Sequence, residues 1–125
     1  MTEDLFMKRD VKHLELIIRY CGDIEDAIES FGSDEEDFLN NVQYQRSCAF
    51  TVSQIGERVK RLSNNITTKF PDVEWKEIAG FRDVLSHDYE NVNIPRFWNT
   101  IVYDIPRLKK ECEHILKELN ENNPS

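Results

Sequence analysis

The sequence predicts an all-α fold, an antiparallel bundle of four to six helices in a single domain that covers residues 1–125. Three observations support this prediction. Apolar residues recur at spacings of three and four along most of the chain, and no segment shows the alternation typical of a strand. Only four glycines and four prolines occur, which argues against a loop-rich β architecture. The length of 125 residues is enough to bury a core without disulfides or metals.

The first helix is predicted from Leu5 to Phe31 by its helical spacing of apolar residues. Gly32 lies just past its end, where glycine commonly stops a helix. Ser33 and Glu36 then form the pattern of a capping box, in which two side chains three residues apart bond each other's backbone N–H groups. This pattern predicts that a second helix starts at Ser33.

The second helical pattern bends near Asn40-Asn41, resumes, and fades after Leu62. Gly56 lies inside it, where glycine costs roughly 1 kcal/mol relative to alanine. A glycine kept at that cost predicts that another helix approaches closely, either within the chain or across a dimer.

Two more helical segments follow the turn sequence Phe70-Pro71-Asp72. Asp72 is expected to cap a helix that extends through Leu85. Asn91-Val92-Asn93 is interpreted as a turn, and Pro95 as part of the first turn of the next helix, where its missing N–H is harmless. Asp104-Ile105-Pro106 repeats this start signal, as a new start or a kink, before a last amphipathic helix.

The negative charge is confined to the first third of the chain. The formal net charge is −8. Residues 1–40 carry twelve acids and four bases, residues 41–125 carry twelve of each, and residues 41–110 carry eight acids and eleven bases. The acidic third is interpreted as a solvated helix face, or as a docking face for a basic partner. The overall acidity argues against general nucleic-acid binding.

The cysteines and the lack of long apolar segments indicate the cellular compartment in which the protein is expected. The count is odd and no C-x-x-C pair occurs, so free thiols in a reducing compartment are expected. No apolar run approaches the ~20 residues of a membrane span, and no secretory segment is visible at the N-terminus. We therefore expect a cytoplasmic protein without a membrane partner.

The segment RDVLSHDYENVN, residues 82–93, places Arg82, His87 and Tyr89 within eight residues. On a continuous helix at ~100° per residue, Arg82 and Tyr89 share a face to within about 20°, together with Ser86. Arg82 and His87 lie about 140° apart, so a straight helix cannot bring both to one phosphate. Either the helix loosens near Ser86-His87, or a second chain completes the pair across a two-fold axis.

Arginine and histidine together suit the cleavage of RNA. Histidine titrates near physiological pH and can take or give a proton, while arginine offers a fork of charged donors to a phosphate. RNA supplies its own nucleophile, the 2′-OH. Arg82 and His87 are therefore the candidate catalytic residues. The ordinary interpretation of an arginine and a histidine near a helix end is that both are solvated or ion-paired.

Further residues are candidates for contacts to a substrate backbone: Arg46, Arg58, Lys60, Arg61, Lys76 and Ser86. No metal site is expected, because no H-x-x-x-H or H-E-x-x-H pattern occurs. No Gly-rich phosphate loop occurs either, so no nucleotide cofactor is expected.

The motif R-x4-H-x-Y, here Arg82 to Tyr89, resembles the signature of HepT toxins of the HEPN superfamily. Its surroundings resemble that family as well. Gln54-Ile55-Gly56-Glu57 and Val59-Lys60-Arg61-Leu62 are similar to its third helix. Phe70 to Arg82 is similar to the segment that leads into the motif. Trp98 and Ile105-Pro106-Arg107-Leu108 are similar to the part after it. The likeness is clearest over residues 50–110.

The resemblance implies a metal-independent endoribonuclease that acts as a homodimer, with Arg82 and His87 as its catalytic pair. It also implies a type VII toxin–antitoxin pair. The antitoxin would be an MntA-like minimal nucleotidyltransferase that transfers AMP from ATP to Tyr89. The adenylyl group would then block the positive site meant for RNA.

A protein of another class would fit part of the same pattern. The chain would then be a non-catalytic helical binding subunit of a nucleotidyltransferase, with Tyr89 as its working residue. Such a scaffold needs neither Arg82 nor His87, so their joint presence favours the enzyme.

Overall fold

The computed structural model describes the backbone of residues 2–122 and the side chains of residues 5–121. Every regular element among these residues is helical, which confirms the predicted all-α bundle. The elements are α1 (Thr2–Phe31), α2 (Glu35–Leu39), α3 (Val42–Lys60), α4 (Asn64–Lys69), α5 (Trp75–His87), a 3-10 turn (Tyr89–Asn91), α6 (Ile94–Asn99), a π turn (Thr100–Asp104) and α7 (Ile105–Asn122). Within this described part, no helix is both long and apolar enough to cross a membrane.

Four long helical units make the bundle: α1, α3, α5 and the continuous helix formed by α6, the π turn and α7. Helix α1 packs between α3 and α7, and α3 packs between α1 and α5. Two bonds show that α1 and α3 are antiparallel. The Tyr44 hydroxyl, near the start of α3, donates to the Gly32 carbonyl after α1 at 2.8 Å. At the other end, the Ser63 N–H donates to the Asp10 carboxylate at 2.8 Å.

Short α2 closes one end of the core with an aromatic cluster. Phe38 is fully buried and meets Tyr44 edge-on at 4.9 Å between ring centroids. It also packs against Phe97 and Trp98, each at 5.4 Å. Such aromatic contacts stabilise the fold by more than the burial of their apolar area alone. They link α2, α3 and α6 into the same core as the long helices.

The capping box lies one residue later than predicted. Asp34 is the N-cap of α2, and its N–H donates to the carboxylate of Asp37 at 3.3 Å, in place of the Ser33–Glu36 pair. The chain turns at Gly32, whose φ of +129° is strained for any other residue. This turn, and not the sequence pattern of the box, determines which residue comes first in the helix.

Two predictions about helix boundaries are corrected near α3. The predicted bend at Asn40-Asn41 is a break between α2 and α3, where the Asn41 side chain accepts from the Tyr44 N–H at 3.0 Å. The chain after Leu62 was expected to lose its helical pattern, yet α4 forms there. The Asp10 carboxylate accepts from both the N–H and the hydroxyl of Ser63, the N-cap of α4. A contact from α1 thus fixes the start of a six-residue helix.

Helix α5 starts later than predicted, and α6 starts as predicted. The N-cap of α5 is Glu74, so Asp72 does not cap it. The Trp75 indole N–H donates to the Phe70 carbonyl at 2.9 Å, which fixes the intervening turn. Pro95 lies in the first turn of α6, and the Asn93 side chain caps that helix.

Helix α7 starts at Ile105, where the Asp104-Ile105-Pro106 pattern predicted a start or a kink, but it follows α6 without a loop between them. Because proline has no N–H, it cannot bond the carbonyl four residues earlier. The preceding turn is instead a π turn, in which the Ile105 N–H bonds the Thr100 carbonyl. The wider turn keeps Phe97, Ile101 and Ile105 buried on one face.

Candidate functional site

Gly56 brings α5 close to α3 at the position of Arg82. A Cβ on Gly56 would lie 2.3 Å from the Cβ of Arg82 and 3.2 Å from the Ile78 carbonyl oxygen. The close helix approach predicted at Gly56 is therefore confirmed, and it occurs within one chain. The stem of Arg82 is held against the backbone of α3.

Two carboxylates hold the guanidinium of Arg82. Its Nη2 lies 3.2 Å from Oε2 of Glu57, and its Nη1 lies 3.3 Å from Oδ1 of Asp83. Lys60 pairs with the same oxygen of Asp83. The Arg82 side chain is 26% exposed, so part of the fork still faces solvent. The arginine is thereby oriented and remains open to a ligand on one side.

The partners of Arg82 stay ionised because they are themselves paired. A hydrogen bond from Arg61 is the main cause that lowers the pKa of Glu57, and the charge of Arg82 adds to it. A hydrogen bond from Lys60 is the main cause that lowers the pKa of Asp83. Sequence reasoning missed Glu57 as a site residue. Its place beside Gly56, and four residues before Arg61, is the signal that could have identified it.

A shallow groove of about 300 Å³ lies between α3 and α5. Its lining consists of Ala49, Phe50, Ser53, Gln54, Glu57, Arg82, Leu85 and Ser86. Phe50 is 67% exposed, which is unusual for so large an apolar side chain. His87 is not among the lining residues.

His87 is the exposed last residue of α5. The helix stays regular up to that point, since the Asp88 N–H bonds the Val84 carbonyl at 2.8 Å. Of the two alternatives for bringing Arg82 and His87 together, a helix that loosens near Ser86-His87 is therefore wrong for this chain. Arg82 and His87 keep their separation of about 140° around the axis, and one chain does not bring them together.

Tyr89 lies outside α5, so the prediction that it shares a helical face with Arg82 is wrong. Asp88, with φ −146° and ψ 37°, ends the helix, and Tyr89 begins a 3-10 turn. The Asn91 side chain donates to the Asp88 carboxylate at 2.7 Å and closes this turn. The Tyr89 ring packs against the core.

The hydroxyl of Tyr89 is buried and has no hydrogen-bond partner. Burial raises the pKa of Tyr89, while the nearby charge of Arg46 partly opposes that rise. Its oxygen is inaccessible in this conformation. Any reaction at this oxygen requires a change of conformation that exposes it.

Three of the predicted substrate contacts lie close to Arg82. Lys60 and Arg82 form ion pairs with the same carboxylate, Asp83. Arg61 and Arg82 likewise share Glu57. Ser86 lines the same groove. Lys60 ends α3, Arg61 is the C-cap of that helix and Ser86 lies on α5, so the three form a cationic and polar border around the motif arginine.

The other three predicted contacts lie elsewhere. Arg46 is exposed near Tyr89. Arg58 is half-buried and faces His13 of α1. Lys76 is exposed in the first turn of α5 and forms no ion pair with any described residue. The structure therefore does not gather all six around Arg82.

A larger cavity of about 450 Å³ lies on another side of α5. Apolar side chains such as Ile78, Phe81 and Leu108 line it, and several acids stand around them. One of these acids, Glu111, has a raised pKa, chiefly because of burial, with nearby carboxylates adding to it. Five acids against two arginines, Arg96 and Arg107, make this cavity a poorer place for a phosphate backbone than the groove at Arg82.

Comparison with known proteins gives a consistent set of relatives. Residues 17–115 match the family described as Ribonuclease HepT-like. A Methanocaldococcus jannaschii protein named "Putative RNase MJ0125" is 39% identical over 115 residues, 91% of this chain and 97% of that one. "Probable ribonuclease HepT" of Thermococcus cleftensis is 34% identical over 103 residues, 78% and 94% of the two chains. No solved structure matches significantly.

Proposed function

Since the chain belongs to the HepT-like ribonuclease family, we propose that it is the toxin of a type VII toxin–antitoxin pair. In this proposal it is a metal-independent endoribonuclease of the cytoplasm that acts as a homodimer. The carrying observation is Arg82, which Glu57 and Asp83 orient at the side of an open groove. An arginine held in this way is pre-organised to stabilise charge on a phosphate.

Arg82 and His87 would divide the chemistry between them. The 2′-oxygen of the RNA attacks phosphorus and loses its proton, and His87 of a second copy would accept that proton or return one to the departing 5′-oxygen. Arg82 donates to the non-bridging oxygens as their charge grows. The 2′-oxygen–phosphorus bond forms, the phosphorus–5′-oxygen bond breaks, and a 2′,3′-cyclic phosphate remains.

A homodimer would complete the site. Arg82 and His87 diverge within one chain, so a second copy must supply the histidine to the groove that holds the arginine. Phe50, 67% exposed at the same groove, supports a covered surface there. A two-fold axis beside this surface would bury Phe50 and build two equal sites.

Adenylylation of Tyr89 by an MntA-like nucleotidyltransferase would silence the enzyme. The phenolic oxygen would attack the α-phosphorus of ATP, releasing pyrophosphate and a proton. Because that oxygen is buried beside the core, a change of conformation at the turn Tyr89–Asn91 must expose it first. The attached AMP is too large to return to the buried position, so it would lie outside, where its phosphodiester competes with RNA for cationic groups.

Cleavage of short RNAs in the presence of a metal chelator tests the activity. Intact mass would first confirm that Tyr89 is unmodified. We expect cutting by the wild type and loss of cutting in Arg82→Ala and His87→Ala. Arg107→Ala and His114→Ala change exposed residues of α7 and serve as matched controls. If the unmodified wild type cuts none of a varied set of RNAs, the non-catalytic binding subunit becomes the better interpretation.

Mixing two inactive variants tests the shared site. In a mixed dimer of Arg82→Ala and His87→Ala, one site combines an intact arginine from one copy with an intact histidine from the other. Equal mixing should then restore about a quarter of the wild-type rate, because half of the dimers are mixed and one of their two sites is intact. No recovery after confirmed subunit exchange would mean that each chain acts with its own pair.

A further inference from the structure

Two polar side chains between α1 and α3 lack the partners that burial normally demands. Nδ1 of His13 and Nε of Arg58 are both buried without a hydrogen-bond partner. Arg58 is half-buried and forms no ion pair with a carboxylate in the described part of the chain. Buried polar atoms are nearly always satisfied, so these two point to a missing partner, and for the Nε–H of Arg58, which can only donate, that partner is an acceptor.

The surroundings of these atoms are positively charged. Burial, followed by the charges of Arg58 and Arg61, lowers the pKa of His13, and Lys12 acts in the same direction. Asp10 is the opposing acid. Its two oxygens are already engaged, since they accept from the N–H and the hydroxyl of Ser63 at 2.8 Å and 2.6 Å. An anion would relieve both the repulsion and the unsatisfied atoms.

This cationic cluster adjoins the groove of the motif arginine. One carboxylate, Glu57, bonds Nη2 of Arg61 through Oε1 at 3.1 Å and Nη2 of Arg82 through Oε2 at 3.2 Å. Arg61 is 56% exposed, so its fork is free to turn from Glu57 toward a ligand. A nucleic-acid strand that lies at Arg82 and continues along α3 therefore meets Arg61, whose charge also acts on His13.

We propose that His13, Arg58 and Arg61 form a second phosphate site, which binds a backbone phosphate of the RNA strand that Arg82 holds at the bond to be cut. Both orphaned atoms are buried in this conformation, so the side chains of Arg58 and His13 turn outward at the edge of the helix interface to donate to it, and Arg61 covers it from solvent. This inference rests on the proposed ribonuclease function. It means that substrates need a phosphate beyond the scissile one.

Binding of an uncleavable RNA tests the site without relying on activity. A single-stranded 2′-O-methyl oligonucleotide lacks the nucleophile, and fluorescence anisotropy over a salt series gives its affinity. In Arg58→Gln we expect an affinity about tenfold lower and a salt slope reduced by roughly 0.7, the value for one lost contact to a single strand. Arg58→Lys keeps the charge but removes the Nε donor, so an intermediate loss is expected.

Arg19→Gln is the matched control, since Arg19 is an exposed arginine on α1 without an ion pair among the described residues. It makes the same change in net charge as Arg58→Gln. If Arg58→Gln binds the oligonucleotide as Arg19→Gln does, the second phosphate site is wrong. Thermal unfolding of both variants verifies that each is folded.

Cleavage separates this inference from the proposed function. Arg58→Gln should lower kcat/KM on long RNA about tenfold and leave a dinucleotide, which has only the scissile phosphate, unaffected. An equal loss on both substrates would overturn the site. If no RNA is cut but the affinity for the oligonucleotide still falls in Arg58→Gln, the proposed ribonuclease function is wrong and the phosphate site remains. If inorganic phosphate perturbs the His13 ring but RNA binding ignores Arg58, the site serves a free anion, which overturns the RNA assignment.

Discussion

Gly56 and Arg82 are in direct contact across the interface of α3 and α5. A Cβ on Gly56 would lie 2.3 Å from the Cβ and 2.9 Å from the Cγ of Arg82. The guanidinium of Arg82 faces the groove, while its Cβ and Cγ pack against the backbone of α3 at Gly56. This packing is possible only because Gly56 has no side chain. Stability and the position of the motif arginine therefore depend on the same contact.

Replacing Gly56 with alanine should destabilise the protein and misplace Arg82. Alanine gains roughly 1 kcal/mol in helix propensity, but overpacking typically costs 1–3 kcal/mol, and here it pushes on the start of the Arg82 side chain. We expect a net loss in the free energy of unfolding, measured with urea, and slower RNA cleavage. Gly80→Ala in α5 is the control, since nothing lies within 4 Å of its added Cβ. Equal stability of the two variants would show that the interface yields easily.

The pairing of Glu57 should stabilise the protein in a defined pH range. Its pKa is lower in the folded protein than the ordinary value of 4.5, mainly through Arg61. The contribution is therefore complete above the unfolded pKa and is lost as pH falls through the folded pKa. Relative to Glu57→Gln, the wild type should lose its advantage in urea unfolding as the pH falls below the ordinary pKa of 4.5.

Glu29→Gln is a suitable control for this pH series. Glu29 is exposed on α1 and forms no ion pair with any described residue. Its variant should differ little from the wild type over the same range. A Glu57→Gln variant whose difference from the wild type does not change with pH would contradict the role given to this carboxylate.

Tyr89→Phe should leave the free energy of unfolding unchanged or raise it by up to about 1–2 kcal/mol. The hydroxyl is buried without a partner, so removing it takes away a desolvation cost and no hydrogen bond. Thermal unfolding measures this, with Tyr103→Phe, a tyrosine 70% exposed, as control. A loss above about 1 kcal/mol would mean that the hydroxyl has a partner in solution.

Asp10→Ala should lower the free energy of unfolding by about 2–4 kcal/mol. It leaves the N–H and hydroxyl of Ser63 without their charged acceptor at the start of α4. Ser63→Ala removes one of the two bonds, and the double variant should therefore lose less than the sum of the single losses. Glu15→Ala, an exposed change on the same helix, should stay within about 0.5 kcal/mol of the wild type. Additive losses would argue against the contact.

The sequence predicted those features that depend on local periodicity. The spacing of apolar residues located α1, α3 and α7, and the unfavourable glycine at position 56 indicated the close helix contact. It did not predict α4, because the N-cap of that helix, Ser63, is held by the carboxylate of Asp10, which lies 53 residues earlier in the chain. The capping box was shifted for a similar reason, since the turn at Gly32 decides where α2 starts.

The candidate site was predicted only in part, because its geometry is tertiary. Residue types and spacing identified Arg82 and His87 and the angle between them. They could not show that Glu57 links Arg82 to Arg61, since that link joins two helices. Treating Tyr89 as part of α5 failed because Asp88 leaves the helical conformation.

The π turn before Pro106 acts as an adjustment of helix phase. Three core residues spaced four apart, Phe97, Ile101 and Ile105, would drift about 80° around a regular α-helix. The wide turn at Thr100–Asp104 contains more residues per turn and so cancels that rotation. The aromatic residues of α6 and the aliphatic face of α7 therefore pack into the same core. Removing one residue there would give a more regular helix yet rotate everything after it. In this segment the chain length, more than any single side chain, keeps the two halves of the helix in register.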